Sequence, residues 1–250
     1  MRYSLGLAVL VMAGSACRTA TPAGPPARPA PAPATACAAA GTPSERAVRW
    51  ARVSAEHRAI FLEVYAMATA HVEQKAAGRA PGSWAVVADA DDTLLDNSEY
   101  QLERVPFGGT FDPSTWRTWT ARRAAVPLPG AAAFLRRVHE LGGRIAIVTN
   151  RDAVECPDTE AVFRAQALPY DVMLCKPEGA SSDKNLRFEA VARGTAGLPP
   201  VEIVAFLGDN IQDFPEKTQA IRLQDDSAFA DFGRRYFVFP NAMYGSWERN

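Results

Sequence analysis

The chain has 250 residues, 48% of them hydrophobic, with 27 basic against 28 acidic residues and a formal net charge of −1. That is enough for one sizeable α/β domain, or for a domain with a small accessory lobe. The even charge balance excludes a chain built to coat a polyanion, so no nucleic-acid polymer is expected as a partner.

Met1-Arg2 is a short basic start, Leu5 to Met12 an apolar run, and Ala13 to Cys17 a small-residue exit. This is the layout of a secretory leader over residues 1–16, too short to span a bilayer as a mature helix. Two processing routes fit. Ser15-Ala16-Cys17 suits cleavage before Cys17 with a lipid attached there, whereas Gly14, where lipoproteins usually carry leucine, suits an ordinary signal-peptidase cut nearby. Residues 17–43 are rich in alanine and proline and read as an extended spacer, or simply as an unstructured tail.

A helical pattern is predicted from Ser44 to Ala77, with Val53, Ile60, Phe61, Val64, Tyr65 and Met67 at helical spacing. Trp84 to Ala88 is a short apolar run ending at Asp89 and reads as a buried strand. Residues 97–126 carry Tyr100, Phe107, Phe111, Trp116 and Trp119 and read as a small, mainly helical cap inserted after that strand. A helix follows from about Gly130 to Leu141. Further strands are predicted at Arg144–Val148, Tyr170–Leu174, Val201–Leu207 and Tyr236–Phe239. Strands alternating with helices predict a Rossmann-like α/β fold, a parallel sheet with helices on both faces. Asp89, Thr149 and Asp209 each follow a strand directly, so sheet topology would gather them on one rim, where such sheets bind ligands.

Four segments can carry chemistry. In Asp89-Ala90-Asp91-Asp92-Thr93, one carboxylate can attack phosphorus while its neighbour serves as acid and then base. So many like charges call for a cation, and hard oxygen donors favour Mg²⁺. At Thr149-Asn150-Arg151, a hydroxyl and nearby N–H groups can hold a phosphoryl oxygen. Lys184 can neutralise that phosphoryl group, whereas Arg187 reads as a solvated or ion-paired helix residue. In Gly208-Asp209-Asn210-Ile211-Gln212-Asp213, Asp209 is placed as a metal ligand and Asp213 can orient its neighbours. Each segment alone is weak: an acidic turn, an ordinary Thr-Asn turn, a helix-face lysine and a helix start would look the same.

Together, Val87 to Tyr100 and Val204 to Phe214 resemble the paired signatures of the four-aspartate class C acid phosphatases of the haloacid dehalogenase superfamily. Pro240 to Glu248 resembles the ending of the bacterial lipoprotein e group within them. The likeness covers about residue 44 to the end. It implies a phosphatase domain with Asp89 as nucleophile and Asp91 as acid/base. It further implies Mg²⁺ held by Asp89, the main-chain carbonyl of Asp91 and Asp209, with the phosphoryl group on Thr149 and Lys184. Activity as an acid phosphatase or 5′-nucleotidase on a small phosphomonoester follows, with nucleoside monophosphates among the candidates. The leader and spacer point to export, to the bacterial periplasm or to a lipid-anchored place at the outer membrane, and any membrane contact would run through that lipid. Ala88 and Ala90 are smaller than the branched residues usual in the family.

Trp116 and Trp119, or Tyr244 and Trp247 from the C-terminus, can stack on a nucleobase, or simply pack the cap onto the core. Cys156 and Cys175 either form a disulfide or stay as thiols. No Cys is placed with a His at zinc-ligand spacing, and no Gly-x-Ser-x-Gly, Walker loop, Arg-His-Gly or cysteine-phosphatase motif occurs. A dehalogenase needs no acid for its leaving group, so Asp91 argues against one. The alternative of another class is a non-catalytic binding or storage protein on the same fold, which would have lost a residue such as Asp89.

Overall fold

The computed structural model describes residues 42–249. The leader, Cys17 and all but the last two spacer residues lie outside the described residues. Helix α1 (Pro43–Val53) starts one residue before the predicted boundary, because Thr42 and Glu45 form a reciprocal capping box. The predicted single helix is two. Ser54 is extended and its hydroxyl accepts the His57 N–H at 3.0 Å, which ends α1 and caps α2 (Ala55–Ala76). Val53 and Met67, counted in the helical pattern, face outward at 72% and 47% exposure.

The sheet contains β1 (Trp84–Ala88), β4 (Arg144–Asp152), β5 (Val172–Lys176), β6 (Glu202–Gly208) and β7 (Tyr236–Val238), all parallel, in the order β5-β4-β1-β6-β7. Alternate strand residues point to opposite faces. Val86, Ala88, Ile145 and Ile147 pack with Phe61 and Tyr65 of α2, Phe134 and Leu135 of α5 (Ala131–Glu140), and Phe163 of α6 (Cys156–Ala165). Ala85, Val87, Ala146 and Val148 pack with Phe188 and Val191 of α7 (Asn185–Arg193) and with Phe214. The structure is thus the Rossmann-like sheet with helices on both faces. The chain winds outward from β1 through β4 to β5, then crosses back to β6. A crevice therefore opens beyond the carboxyl ends of β1 and its two neighbours.

The cap leaves and re-enters through a two-stranded antiparallel ribbon, β2 (Leu95–Asp96) against β3 (Val126–Pro127). Between them lie α3 (Ser98–Arg104) and α4 (Pro113–Arg122), the latter capped by Asp112. Helix α1 lies against α3, and Arg52 donates to the Ser98 hydroxyl at 3.3 Å.

β6 is shifted by one residue from the sequence reading and β7 ends one residue earlier, while β5 and β4 differ by more. β5 runs two residues later than predicted, because the Asp171 carboxylate accepts the Ile145 N–H at 2.8 Å and closes the strand's entry. β4 continues to Asp152 through a bulge. Between the pairs Val148↔Leu174 and Asp152↔Lys176, β4 passes through Thr149, Asn150 and Arg151 while β5 passes through Cys175 alone. Cys175 is disulfide-bonded to Cys156, the first residue of α6. Closing a loop of 19 residues is worth roughly 3 kcal/mol in the chain-entropy account. Among the described residues, no helix is long and apolar enough to cross a membrane.

Candidate active site

Asp89 is the first residue past β1, and its N–H donates to the Leu207 carbonyl at 2.9 Å, tying the first acidic segment to the end of β6. The turn closes as the N–H groups of Leu94 and Leu95 both reach the Ala90 carbonyl. Asp92 sits at φ 50°, a left-handed conformation that aspartate tolerates better than most residues. Ala90 is fully buried in this turn. On the other side, a turn over Ile211–Asp213 folds back across the end of β6. A Cβ at Gly208 would lie 2.2 Å from the Asp213 Cβ, so only glycine allows that approach.

Lys184, directly before α7, is 2% exposed and bridges the two halves of the site. Its Nζ lies 2.6 Å from Asp89 Oδ1 and 2.6 Å from Asp213 Oδ1. One oxygen each of Asp89, Asp209 and Asp213 lies within 4.8 Å of the others. Asp209 Oδ2 also accepts the Asn241 side-chain N–H at 2.7 Å.

These carboxylates outweigh their cations. Burial pushes Asp89 up to about 7; Lys184 opposes this, and Asp213 and Asp91 add to it. Burial, then Asp213, Asp89 and Asp92, hold Asp209 well above the usual carboxylate range against the Asn241 bond. Burial also pushes Asp92 to about 7, opposed chiefly by its bond from the Tyr244 hydroxyl. Lys184 is pulled down by burial, but Asp213 and Asp89 outweigh that and hold it above its ordinary value. An all-oxygen donor set with surplus negative charge suits a hard divalent cation such as Mg²⁺. The side chain that joins Asp89 and Asp209 in this cluster is Asp213. The Asp91 carboxylate faces Arg151 and Asn97 instead and is not part of this cluster.

Thr149 lies in the β4 bulge next to Asn150 and, unlike Asn150, is not among the residues that line the cavity over the site. Thr149 is fully buried, and its hydroxyl accepts the Arg151 N–H at 3.2 Å. Arg187, expected as a solvated or ion-paired helix residue, is half-buried and has no ion pair among the described residues. Its guanidinium reaches over the bulge to donate to the Thr149 carbonyl and, at 2.6 Å, to Asn150 Oδ1. The bulge takes the Thr149 carbonyl out of register with β5, and an arginine one turn along α7 is long enough to reach it and the neighbouring Asn150 side chain. Asn150 Nδ2 donates to the Ser182 carbonyl at 3.0 Å, and Asn150 lines the cavity.

Above the rim opens a cavity of about 650 Å³, lined by Asp89, Asp91, Asp209, Lys184, Trp116 and Tyr244 among others. Of the four candidate stacking rings, Trp116 and Tyr244 line it. Trp119 is buried beside Asn97, to which its indole N–H donates at 2.9 Å, and Trp247 is 46% exposed and outside the lining. Phe111, unassigned by the sequence, lines the cavity near Trp116, with ring centroids 6.1 Å apart. Sequence reasoning also gave no role to Asp92, Asn97, Arg151 or Asn241. Arg151 had a usable signal, since it follows Thr149-Asn150 at a strand end and the acidic segment lacks cations. Nothing in the sequence pointed to the pairing of Asn241 with Asp209 or of Tyr244 with Asp92, because these partners lie 32 and 152 residues away.

Over residues 29–247 the chain matches the family model described as HAD superfamily, subfamily IIIB (acid phosphatase). Two solved structures of the class C acid phosphatase from Bacillus anthracis, one with tungstate bound, are similar. Both are 28% identical over 82% of this chain and 86% of theirs, with TM-scores of 0.73 and 0.72. The rim of aspartates around Lys184 thus sits in a fold and a sequence shared with known phosphatases, and the chain belongs to the acid phosphatases of subfamily IIIB of the haloacid dehalogenase superfamily, enzymes that hydrolyse phosphoric monoesters.

Proposed function

We propose that the protein is an exported, Mg²⁺-dependent phosphomonoesterase that works through an aspartyl-phosphate on Asp89. The observation that carries this is the bridge from Lys184 to Asp89 and Asp213 beside Asp209, at the mouth of one cavity. An Asp89 oxygen attacks phosphorus, the bond from phosphorus to the ester oxygen breaks, and that oxygen leaves with a proton from Asp91. Asp91 then takes a proton from water, whose oxygen attacks the aspartyl-phosphate, releasing phosphate and restoring Asp89. Lys184 neutralises the phosphoryl oxygens, with the Thr149 hydroxyl and Asn150 as further donors. Asp89, Asp209 and the Asp91 main-chain carbonyl would hold Mg²⁺, with Asp213 orienting them. The ion would supply neutralisation of the phosphoryl charge. The tungstate of the Bacillus anthracis relative, a tetrahedral oxyanion shaped like phosphate, supports an oxyanion site on this fold.

The substrate class we infer is the nucleoside monophosphates, with the base against Trp116 and Tyr244. The test is a panel of nucleoside 5′-monophosphates and sugar phosphates. Nucleotides are expected to show the lower KM, and Trp116→Leu to raise that KM by about 5- to 100-fold, the worth of one stacked base, with little change for sugar phosphates. Equal KM values across the panel would refute the base platform. The reading as a non-catalytic binding protein has no lost catalytic residue to support it.

Export rests on the leader and spacer sequence. With the full chain expressed in a bacterium, the protein is expected in the membrane fraction, and Cys17→Ser should release it. Equal partitioning of both forms would dismiss the lipid anchor.

A further inference from the structure

We propose that Arg151, together with Asn97, is a positioning residue that selects which oxygen of Asp91 carries the proton. The inference rests on the reading of Asp91 as the acid/base.

Asp91 Oδ1 accepts from Arg151 Nε at 3.0 Å, Arg151 Nη2 at 2.7 Å and Asn97 Nδ2 at 2.8 Å. Oδ2 has only the shared Nε contact at 3.1 Å. A carboxylate oxygen has two in-plane lone pairs, so three donors saturate Oδ1 and leave Oδ2 as the oxygen able to bind a proton. The donors are themselves held. Arg151 is 2% exposed; its Nη1 donates to the Thr159 hydroxyl at 3.1 Å, and its guanidinium lies 5.5 Å from the centre of the Trp116 ring. The Thr159 hydroxyl donates in turn to the Glu155 carbonyl at 2.9 Å. The Asn97 amide is oriented by the Trp119 indole N–H on its oxygen, which leaves its nitrogen for Asp91. The carboxylate plane is therefore gripped from the core through the β4 bulge and from the cap through Asn97. Burying an arginine this deeply is costly unless its fork is used, and here every arm is. In the acid step the proton passes from Asp91 Oδ2 to the ester oxygen as the phosphorus–oxygen bond breaks, its electron pair staying on that oxygen. In the base step Oδ2 accepts a proton from water.

The experiment compares kcat/KM for an activated aryl ester, p-nitrophenyl phosphate, with that for an unactivated alkyl ester, glycerol phosphate, in the Mg²⁺-loaded enzyme. Nitrophenolate leaves without a proton and an alkoxide does not. Arg151→Gln is expected to lower the alkyl value by about 100-fold, the lower end of what a positioned acid supplies, and the aryl value by much less. Arg151→Lys keeps the charge but loses the fork, and should show the same alkyl-selective loss. Thr159→Val, which leaves Arg151 in place but unsupported, should show it to a smaller degree and serves if Arg151→Gln does not fold. Equal losses on both esters, or no loss, would overturn the inference. Asp91→Asn separates the two readings. If it lacks an alkyl-selective loss, the acid role of Asp91 itself fails. If it shows that loss while the Arg151 and Thr159 variants do not, only the positioning role fails.

Discussion

Asp89→Asn is expected to lower kcat on p-nitrophenyl phosphate by at least about 1000-fold while the fold survives, because it removes the covalent route and not merely one stabilising contact. The amide keeps the shape of the carboxylate but cannot attack phosphorus. The fold should tolerate the change for two reasons. Burial already works against the ionised form of Asp89, so a neutral side chain relieves a cost. Lys184, moreover, keeps its ion pair with Asp213 at 2.6 Å. Circular dichroism and a melting temperature within a few degrees of the parent would show the fold intact. Turnover near the parent level in a well-folded variant would refute Asp89 as nucleophile.

Stripping the metal with EDTA is the second large effect. Activity should vanish and return with Mg²⁺, and stability should change in a pH-dependent way with a definite sign. Burial raises Asp89 and Asp209 above their unfolded values. Between the unfolded carboxylate range near 4 and the folded value of Asp89 near 7, the metal-free fold therefore keeps protons that the unfolded chain releases. Unfolding then releases protons, so the stability of the metal-free protein falls as pH rises through that window. Lys184 is shifted upward and titrates above the window, so it does not reverse the sign. A divalent cation bound to these carboxylates would take the place of those protons. At a concentration about 100-fold over its dissociation constant it stabilises by about 2.7 kcal/mol, and binding should be tighter once the carboxylates ionise. The rise in melting temperature on adding Mg²⁺ should be clearly larger at pH 7.5 than at pH 5. A rise of the same size at both values, or a larger one at pH 5, would contradict the carboxylate site.

Asp213 and Arg187 show how partial information in a sequence behaves. Both stood out by type and position, yet their partners differ from the expected ones. Asp213 joins the metal-range cluster and shares Lys184 with Asp89, which depends on the bare Cα of Gly208. Arg187 is the helix residue it was read to be, but the β4 bulge gives it carbonyl and amide oxygens to bind. Helix boundaries followed the same rule. Ser54, a small polar residue in an otherwise continuous pattern, splits one predicted helix into two by capping the second.

What the sequence determined by itself was the parallel sheet and the residues at its rim. Short apolar runs ending at Asp89 and Asp209 are local signals, and a strand that ends where its apolar residues end places the next side chain at the crevice wherever its neighbours lie, whereas β4 runs on past Thr149 to Asp152 through a bulge that the apolar run did not announce. What the tertiary structure decided was every contact between segments. It turned Asp91 toward Arg151 and left one oxygen uncommitted, set Asn241 behind Asp209 and Tyr244 against Asp92, and kept Trp116 and Tyr244 at the cavity while burying Trp119. These depend on a strand bulge, a glycine and a returning C-terminal segment that meet only after the chain has folded. Hydrophobic period carries no information about such meetings, because it records which face of an element is buried and not which residue waits on the other side.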